Sequence, residues 1–248
     1  MIGLVLGGGG ARGAYEVGVI KALNELGVKC EVVTGVSVGT LNAVLYAQQE
    51  QDYENIWRTI EYEKVVEHKF KWKNKAIEIL VKAPFFGGFA TTPLRKLLYH
   101  YLNEDKLKNS TIKMGLVYTS PLKKYNQVKI QDVDNELIID YIITSCSAIP
   151  FLKRTKLNGR WCYDGYYSDN VPINLALEMG ANKIIAVDIM KGFKKKIKDK
   201  TIPILMIKPK KKMKFFLNFN HDVIEEYISR GFEETMQRRE EILAFLNA

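Results

Sequence analysis

The sequence has little of three things that commonly announce a function. Its three cysteines, Cys30, Cys146 and Cys162, are scattered and odd in number. No two share a metal-ligand spacing, which argues against a disulfide framework and a zinc site and fits a reducing compartment. Its three histidines, His68, His100 and His221, sit in helical, basic or helix-opening contexts, not among the turn residues that deliver a catalytic imidazole. No apolar run approaches the roughly 18 residues that a membrane-spanning helix needs. Met1 is followed directly by an apolar segment, without a basic region or cleavage site, so no signal peptide is expected. The expected setting is cytoplasmic, at most peripheral to a membrane.

What is present begins with charge. The net charge is +9, yet eleven lysines and a single acid (Asp199) fall between Lys191 and Lys214, leaving the rest of the chain near neutral. Phe193, Met213, Phe215 and Phe216 lie in or beside this stretch. Lysines near an anionic bilayer contribute about 1 kcal/mol each, and aromatics can dip into the interface. Lys194, Lys195, Lys196, Lys210, Lys211, Lys212, Phe215 and Phe216 are therefore candidates for membrane-surface contact, with a solvated loop as the plain alternative. Nucleic acid would also answer to such a patch, but no nucleic-acid reading motif accompanies it.

Element order points to an α/β protein. Ile2–Leu6 reads as a buried strand and Ala14–Leu26 as a helix closed by Gly27. Glu31–Thr34 reads as a second strand and Thr40–Gln49 as a second helix. That alternation implies a parallel sheet covered by helices. Helical patterns over Tyr53–Val66, Lys73–Lys82, Thr92 to Tyr101 and Glu136–Ser145 follow, with strands at Lys113–Thr119 and Gln127–Gln131. The last third reads as helix Ile173–Met179, strands Lys183–Ile189 and Ile202–Ile207, and one closing helix from Asp222 to about Leu246. Pro84–Phe89, apolar and full of breakers, fits either a flap over a pocket or a buried loop. With no repeat and no linker, the 248 residues are expected to form one domain.

Two glycine motifs carry the chemistry. Gly8-Gly9-Gly10-Ala11-Arg12-Gly13 satisfies G-x-G-x-x-G between a strand and a helix, where bare amides and a helix N-terminus face negative charge. That charge is a cofactor pyrophosphate or a reaction oxyanion. A dinucleotide site needs an acid at the end of the second strand; Glu31 begins that strand instead. Gly35-Val36-Ser37-Val38-Gly39 is G-x-S-x-G at a strand-to-helix turn. A serine held there projects its Oγ clear of the backbone, and the flanking Gly35 and Gly39 keep the turn from clashing. A glycine turn with an incidental serine is the alternative. The elbow comes too early for the usual α/β-hydrolase order, and no histidine is suitably placed, so the base is sought elsewhere. Asp164-Gly165, in an aromatic setting, is either a turn or that base.

Together, Gly8–Gly13, Gly35–Gly39, Asp164-Gly165 and the small-residue run Ser145-Cys146-Ser147-Ala148-Ile149-Pro150 resemble the patatin-like phospholipases, in order and spacing, over about Gly3 to Asp188. The resemblance implies a three-layer α/β/α fold with a mostly parallel central sheet and a Ser–Asp dyad, Ser37 and Asp164. It implies an oxyanion hole at Gly8, Gly9, Gly10, Arg12 and Gly13, with the amides of the first three as donors. Arg12 has two further readings, a loop tie or a contact with an anionic head group. Tyr166 stands where the family usually has glycine or alanine. The activity implied is hydrolysis of phospholipid, lysophospholipid or neutral-lipid esters without metal or cofactor. A small-ester or thioester hydrolase and a non-catalytic lipid-binding module are the other readings.

Overall fold

Short branched segments become the centre of a sheet. In the computed structural model, which describes residues 1–121, 124–190 and 197–247, the strands are β1 (Ile2–Leu6), β2 (Val32–Gly35), β3 (Lys113–Ser120), β4 (Lys124–Lys129), β5 (Thr155–Leu157), β6 (Arg160–Asp164), β7 (Lys183–Val187) and β8 (Ile204–Ile207). They form one eight-stranded sheet in the order β5-β6-β3-β2-β1-β7-β8, with β4 also paired to β3. From β3 to β8 every pairing is parallel; β4 and β6 run antiparallel to β3, and β5 to β6.

β1 shows why its sequence is apolar throughout. Leu4 and Leu6 point into one hydrophobic cluster and Val5 into the other, on opposite faces of the sheet. The helices are α1 (Gly13–Glu25), α2 (Val38–Ala47), α3 (Tyr53–Arg58), α4 (Tyr62–Val65), α5 (Lys75–Lys82), α6 (Thr92–Tyr101), α7 (Glu104–Lys108), α8 (Asn135–Ser145), α9 (Ile173–Glu178), α10 (His221–Met236) and α11 (Arg239–Asn247). Most contribute to the larger cluster, whereas Ile173, Leu175 and Ala176 of α9 cover the opposite face. The expected parallel-rich sheet with helices on both sides is therefore present, unevenly loaded. α1 and α10 cross backbone against backbone. A Cβ on Gly18 would lie 2.0 Å from the Ile228 carbonyl oxygen, and one on Gly231 2.0 Å from that of Tyr15.

Three expectations change. The helix read over Tyr53–Val66 is two, because Thr59 turns its N–H and Oγ1 back onto the Ile56 carbonyl (3.1 and 2.8 Å) and ends α3. The closing helix also breaks, between Met236 and Arg239, where Arg238 donates to the Met206 carbonyl of the edge strand β8 (2.9 Å). Asp164 ends a strand, β6, for which the sequence offers no signal; β5 and β6 are short and partly exposed, so they carry little apolar pattern. Pro84–Phe89 is neither flap nor buried loop. Phe85 and Phe86 are 84% and 62% exposed and line no part of the site cavity, while Phe89 is buried.

Candidate active site

Ser37 occupies the turn from β2 into α2 with φ 54° and ψ −126°, a backbone conformation that side chains other than glycine seldom adopt. The turn closes only because its flanks are bare. A Cβ on Gly35 would meet the Gly39 carbonyl oxygen at 2.3 Å, and one on Gly39 the Leu6 carbonyl oxygen at 2.4 Å. The strain is held from outside. The Ser37 N–H donates to Ser145 Oγ (3.1 Å), which donates to the Val117 carbonyl (2.8 Å), and Cys146 Sγ donates to the Ser37 carbonyl (3.2 Å). The Ser145–Pro150 run thus meets the elbow through Ser145 and Cys146. The α2 N-terminus directs its positive end at the serine.

Asp164 ends β6 beside this turn. Its N–H donates to the Ser147 carbonyl (3.0 Å), its carbonyl accepts from Thr119 Oγ1 (2.8 Å), and Oδ1 accepts the Tyr166 N–H (2.8 Å). Gly165 is required next to it, since a Cβ there would lie 2.3 Å from the Val117 carbonyl oxygen. Tyr166 contributes its backbone to the carboxylate and lines the cavity with its side chain, so the site accommodates a large residue there. Oδ2 of Asp164 is buried and, among the described residues, accepts no hydrogen bond of ordinary length and angle. Loss of solvation pushes the carboxyl up to about 7, although the nearby Ser37 hydroxyl and the Tyr166 N–H pull in the other direction.

The glycine loop lies across from them. Gly8 is clamped by Asn170: its N–H donates to Oδ1 (2.9 Å) and its carbonyl accepts from Nδ2 (3.2 Å). The Gly8 amide is thereby committed to Asn170 and does not face the cavity, against the expectation that it is an oxyanion donor. Gly9 and Gly10 line the cavity, and no acceptor for their N–H groups is found among the described residues. Arg12 is a loop tie. Its Nε donates to the Lys214 carbonyl (3.0 Å), Nη1 lies 2.9 Å from Met190 Sδ, and its side chain is not part of the cavity wall. Gly13 opens α1 against Val38 and Trp57, where a Cβ would clash at 2.5 and 2.9 Å. Beneath it, Asn42 bonds the Gly13 carbonyl, Glu16 and the Trp57 indole (3.0, 2.8 and 2.8 Å).

These groups meet in one cavity of about 290 Å³. Ser37, Asp164, Gly9 and Gly10 share its wall with apolar side chains including Leu41, Trp57, Ile79, Leu94, Leu97 and Phe216. None of the three histidines lines it. Among the described residues, no group of three His, Cys, Asp or Glu is arranged to hold a metal. Asn170 and the cavity wall were not legible in sequence, and the Ser145–Pro150 run was marked only by its small residues, not by the bond from Ser145 to the elbow; Asn170 lies only five residues past Gly165, but nothing local marks it as a partner of Gly8.

Of the basic stretch, Phe216 turns inward to this cavity, and its carbonyl accepts the Ala11 N–H (2.8 Å). Lys210, Lys211, Lys212 and Phe215 are exposed, and Lys194, Lys195 and Lys196 lie outside the described residues. No described helix is long and apolar enough to cross a membrane.

The family model for patatin-like phospholipase matches residues 4–177. Human patatin-like phospholipase domain-containing protein 6 is 28% identical over 190 residues, which are 76% of this chain and 13% of that protein. Lysophospholipase NTE1 of Mycosarcoma maydis is 26% identical over 188 residues, 76% of this chain and 10% of that protein. Human GIVD cytosolic phospholipase A2, solved with methyl gamma-linolenyl fluorophosphonate, superposes with a TM-score of 0.53 at 10% identity, over 100% of this chain and 58% of that one. The chain therefore spans a small fraction of the length of these curated relatives. With a family match across most of its length, the chain belongs to the patatin-like phospholipase family.

Proposed function

We propose that this chain is a serine lipid acyl hydrolase of phospholipase A or lysophospholipase type, working as one domain through a Ser37–Asp164 dyad. The observation that carries the reading is a strained serine whose hydroxyl neighbours and hydrogen-bonds a buried carboxyl, both on the wall of one apolar cavity. Ser37 Oγ attacks the acyl carbonyl carbon while Asp164 takes its proton. A base whose pKa lies near neutrality is well matched to that task. The open amides of Gly9 and Gly10 receive the oxyanion; such donors are each worth about a hundredfold in rate or more. Asp164 then returns the proton to the departing alcohol. Water, deprotonated by Asp164 in its turn, releases the carboxylic acid and restores Ser37.

The cavity lining favours a fatty acyl chain over a small ester or thioester, because most of its wall offers only apolar contact. The names of the relatives, a lysophospholipase among them, and the fluorophosphonate held by the structural neighbour support the same class. Exposed Lys210, Lys211, Lys212 and Phe215 fit a peripheral position on an anionic membrane. Labelling with a fluorophosphonate, followed by peptide mapping, is expected to modify Ser37. Incubation with a lipid extract is expected to release free fatty acid. A folded protein that takes no label is a lipid-binding module, and one that cleaves only short soluble esters is a small-ester hydrolase.

A further inference from the structure

The sharpest surface feature lies away from the basic stretch, on α5 and the turn after it. Trp72, Ile77, Leu80, Val81, Phe85 and Phe86 are all exposed, six large apolar side chains within fifteen residues of sequence. Exposed patches of this kind mark interaction sites. α5 divides its faces. Ala76 and Ile79 are buried, with Ile79 on the wall of the acyl cavity, while Ile77, Leu80 and Val81 face outward.

Charge selects the occupant. From His68 to Lys82 the chain carries five lysines and one acid. That acid, Glu78, is turned inward and solvent-inaccessible, so it does not offset the rim. Its Oε2 accepts the N–H groups of Lys71 and Trp72 (2.8 and 2.6 Å), and Oε1 meets His68 and Lys82 (3.0 and 2.5 Å). The 68–73 loop is thus fastened to α5 before any partner arrives. Lys75 pairs with Glu63 (2.5 Å), and Glu61 and Glu67 are the other acids nearby. Lys69, Lys71 and Lys73 are exposed, with no carboxylate at ion-pair distance among the described residues. Lys82 lies over the Trp72 ring at 5.2 Å.

The face is also continuous with the site. Ile77 and Leu80 share a cleft with Phe215, and that cleft shares Ile60, Tyr62 and Phe219 with the acyl cavity. We infer that the outer face of α5, with Phe85 and Phe86 at its end and Lys69, Lys71 and Lys73 at its rim, docks on an anionic lipid bilayer and presents the acyl cavity to it. Phenylalanines enter the acyl boundary, the lysine ammonium groups stay with lipid phosphates and carboxylates, and the helix lies in the interface plane. Phe215 joins the same face, which unites it with the basic stretch. The inference deepens the proposal of a lipid substrate, but the docking itself requires no turnover.

The test is cosedimentation with vesicles of phosphatidylcholine alone and of phosphatidylcholine mixed with phosphatidylserine. The unmodified protein is expected to bind the mixed vesicles and to be released by salt. Lys69→Glu/Lys71→Glu/Lys73→Glu is expected to weaken binding by about a hundredfold, at about fivefold per lysine. Phe85→Ser/Phe86→Ser is expected to weaken it by roughly tenfold or more. Neither set touches the cavity, so hydrolysis of a soluble p-nitrophenyl ester is expected to stay unchanged. Brominated lipid is expected to quench part of the tryptophan fluorescence of the unmodified protein, and Trp72→Phe, which keeps Trp57 and Trp161, is expected to lose that quenched part; this reads the same docking without dependence on those variants. Absence of binding to mixed vesicles, variants that bind like the parent, or a patch that instead controls self-association would each overturn the inference. Docking without ester hydrolysis would leave it standing and remove the proposed activity.

Discussion

Asp164→Asn is expected to remove turnover and stabilise the fold in one step. The carboxyl titrates near 7 in the folded protein against 3.8 for an unperturbed aspartate, because it is fully buried. Between those two values the folded chain holds the proton more tightly than the unfolded chain, so stability is lost as pH rises through this window. At 1.36 kcal/mol per pKa unit, the ionised carboxylate costs the fold about 4 kcal/mol above about pH 7, and almost nothing below about pH 4. Asparagine has the same shape and no charge. Urea denaturation of the two proteins is expected to show the variant more stable by about 4 kcal/mol near pH 8, about 3 near pH 6, and less than about 1 near pH 4. In the active protein, kcat/KM is expected to rise about tenfold per pH unit and level off near pH 7. A stability difference between the two proteins that does not change from about pH 4 to pH 8, or a rate that stays flat down to about pH 5, would show that Asp164 keeps an ordinary pKa and is not the poised base.

Other outcomes follow from the same contacts. Asn170→Ala removes both hydrogen bonds that clamp Gly8 and is expected to lower kcat about a hundredfold, while fluorophosphonate still labels Ser37; unchanged kcat would mean the loop is held without it. Gly231→Ala gains about 1 kcal/mol in helix propensity, but its Cβ would sit 2.0 Å from the Tyr15 carbonyl oxygen. Overpacking is expected to win, with net destabilisation of about 2 kcal/mol by chemical denaturation; a stabilised variant would show that α1 and α10 are free to separate. Leu97→Trp fills part of the cavity wall and is expected to shift preference toward shorter acyl esters in a chain-length series. An unchanged profile would place the acyl chain elsewhere.

The central strands and the elbow were legible because their signals are local. β1 and β2 are buried on both faces, so they show as unbroken branched runs, and Gly35 and Gly39 flank Ser37 because the turn itself excludes side chains. Asp164 was legible only beside the other motifs, since Asp-Gly alone reads as a turn. The break after Met236 and the strands β5 and β6 were not, because Arg238 is drawn to a carbonyl thirty-two residues away and edge strands carry little apolar pattern.

By itself, then, the amino-acid sequence determined the fold class and singled out the serine and the aspartate proposed here as a dyad, through spacing that short-range sterics demand. Only the tertiary structure decided how the glycines divide. Gly8 spends its amide on Asn170, which lies 162 residues away, whereas Gly9 and Gly10 line the cavity and, among the described residues, find no acceptor for theirs. It alone buried Asp164 enough to raise its pKa toward neutrality, because solvation depends on what the whole chain packs around a carboxylate and not on its neighbours in sequence.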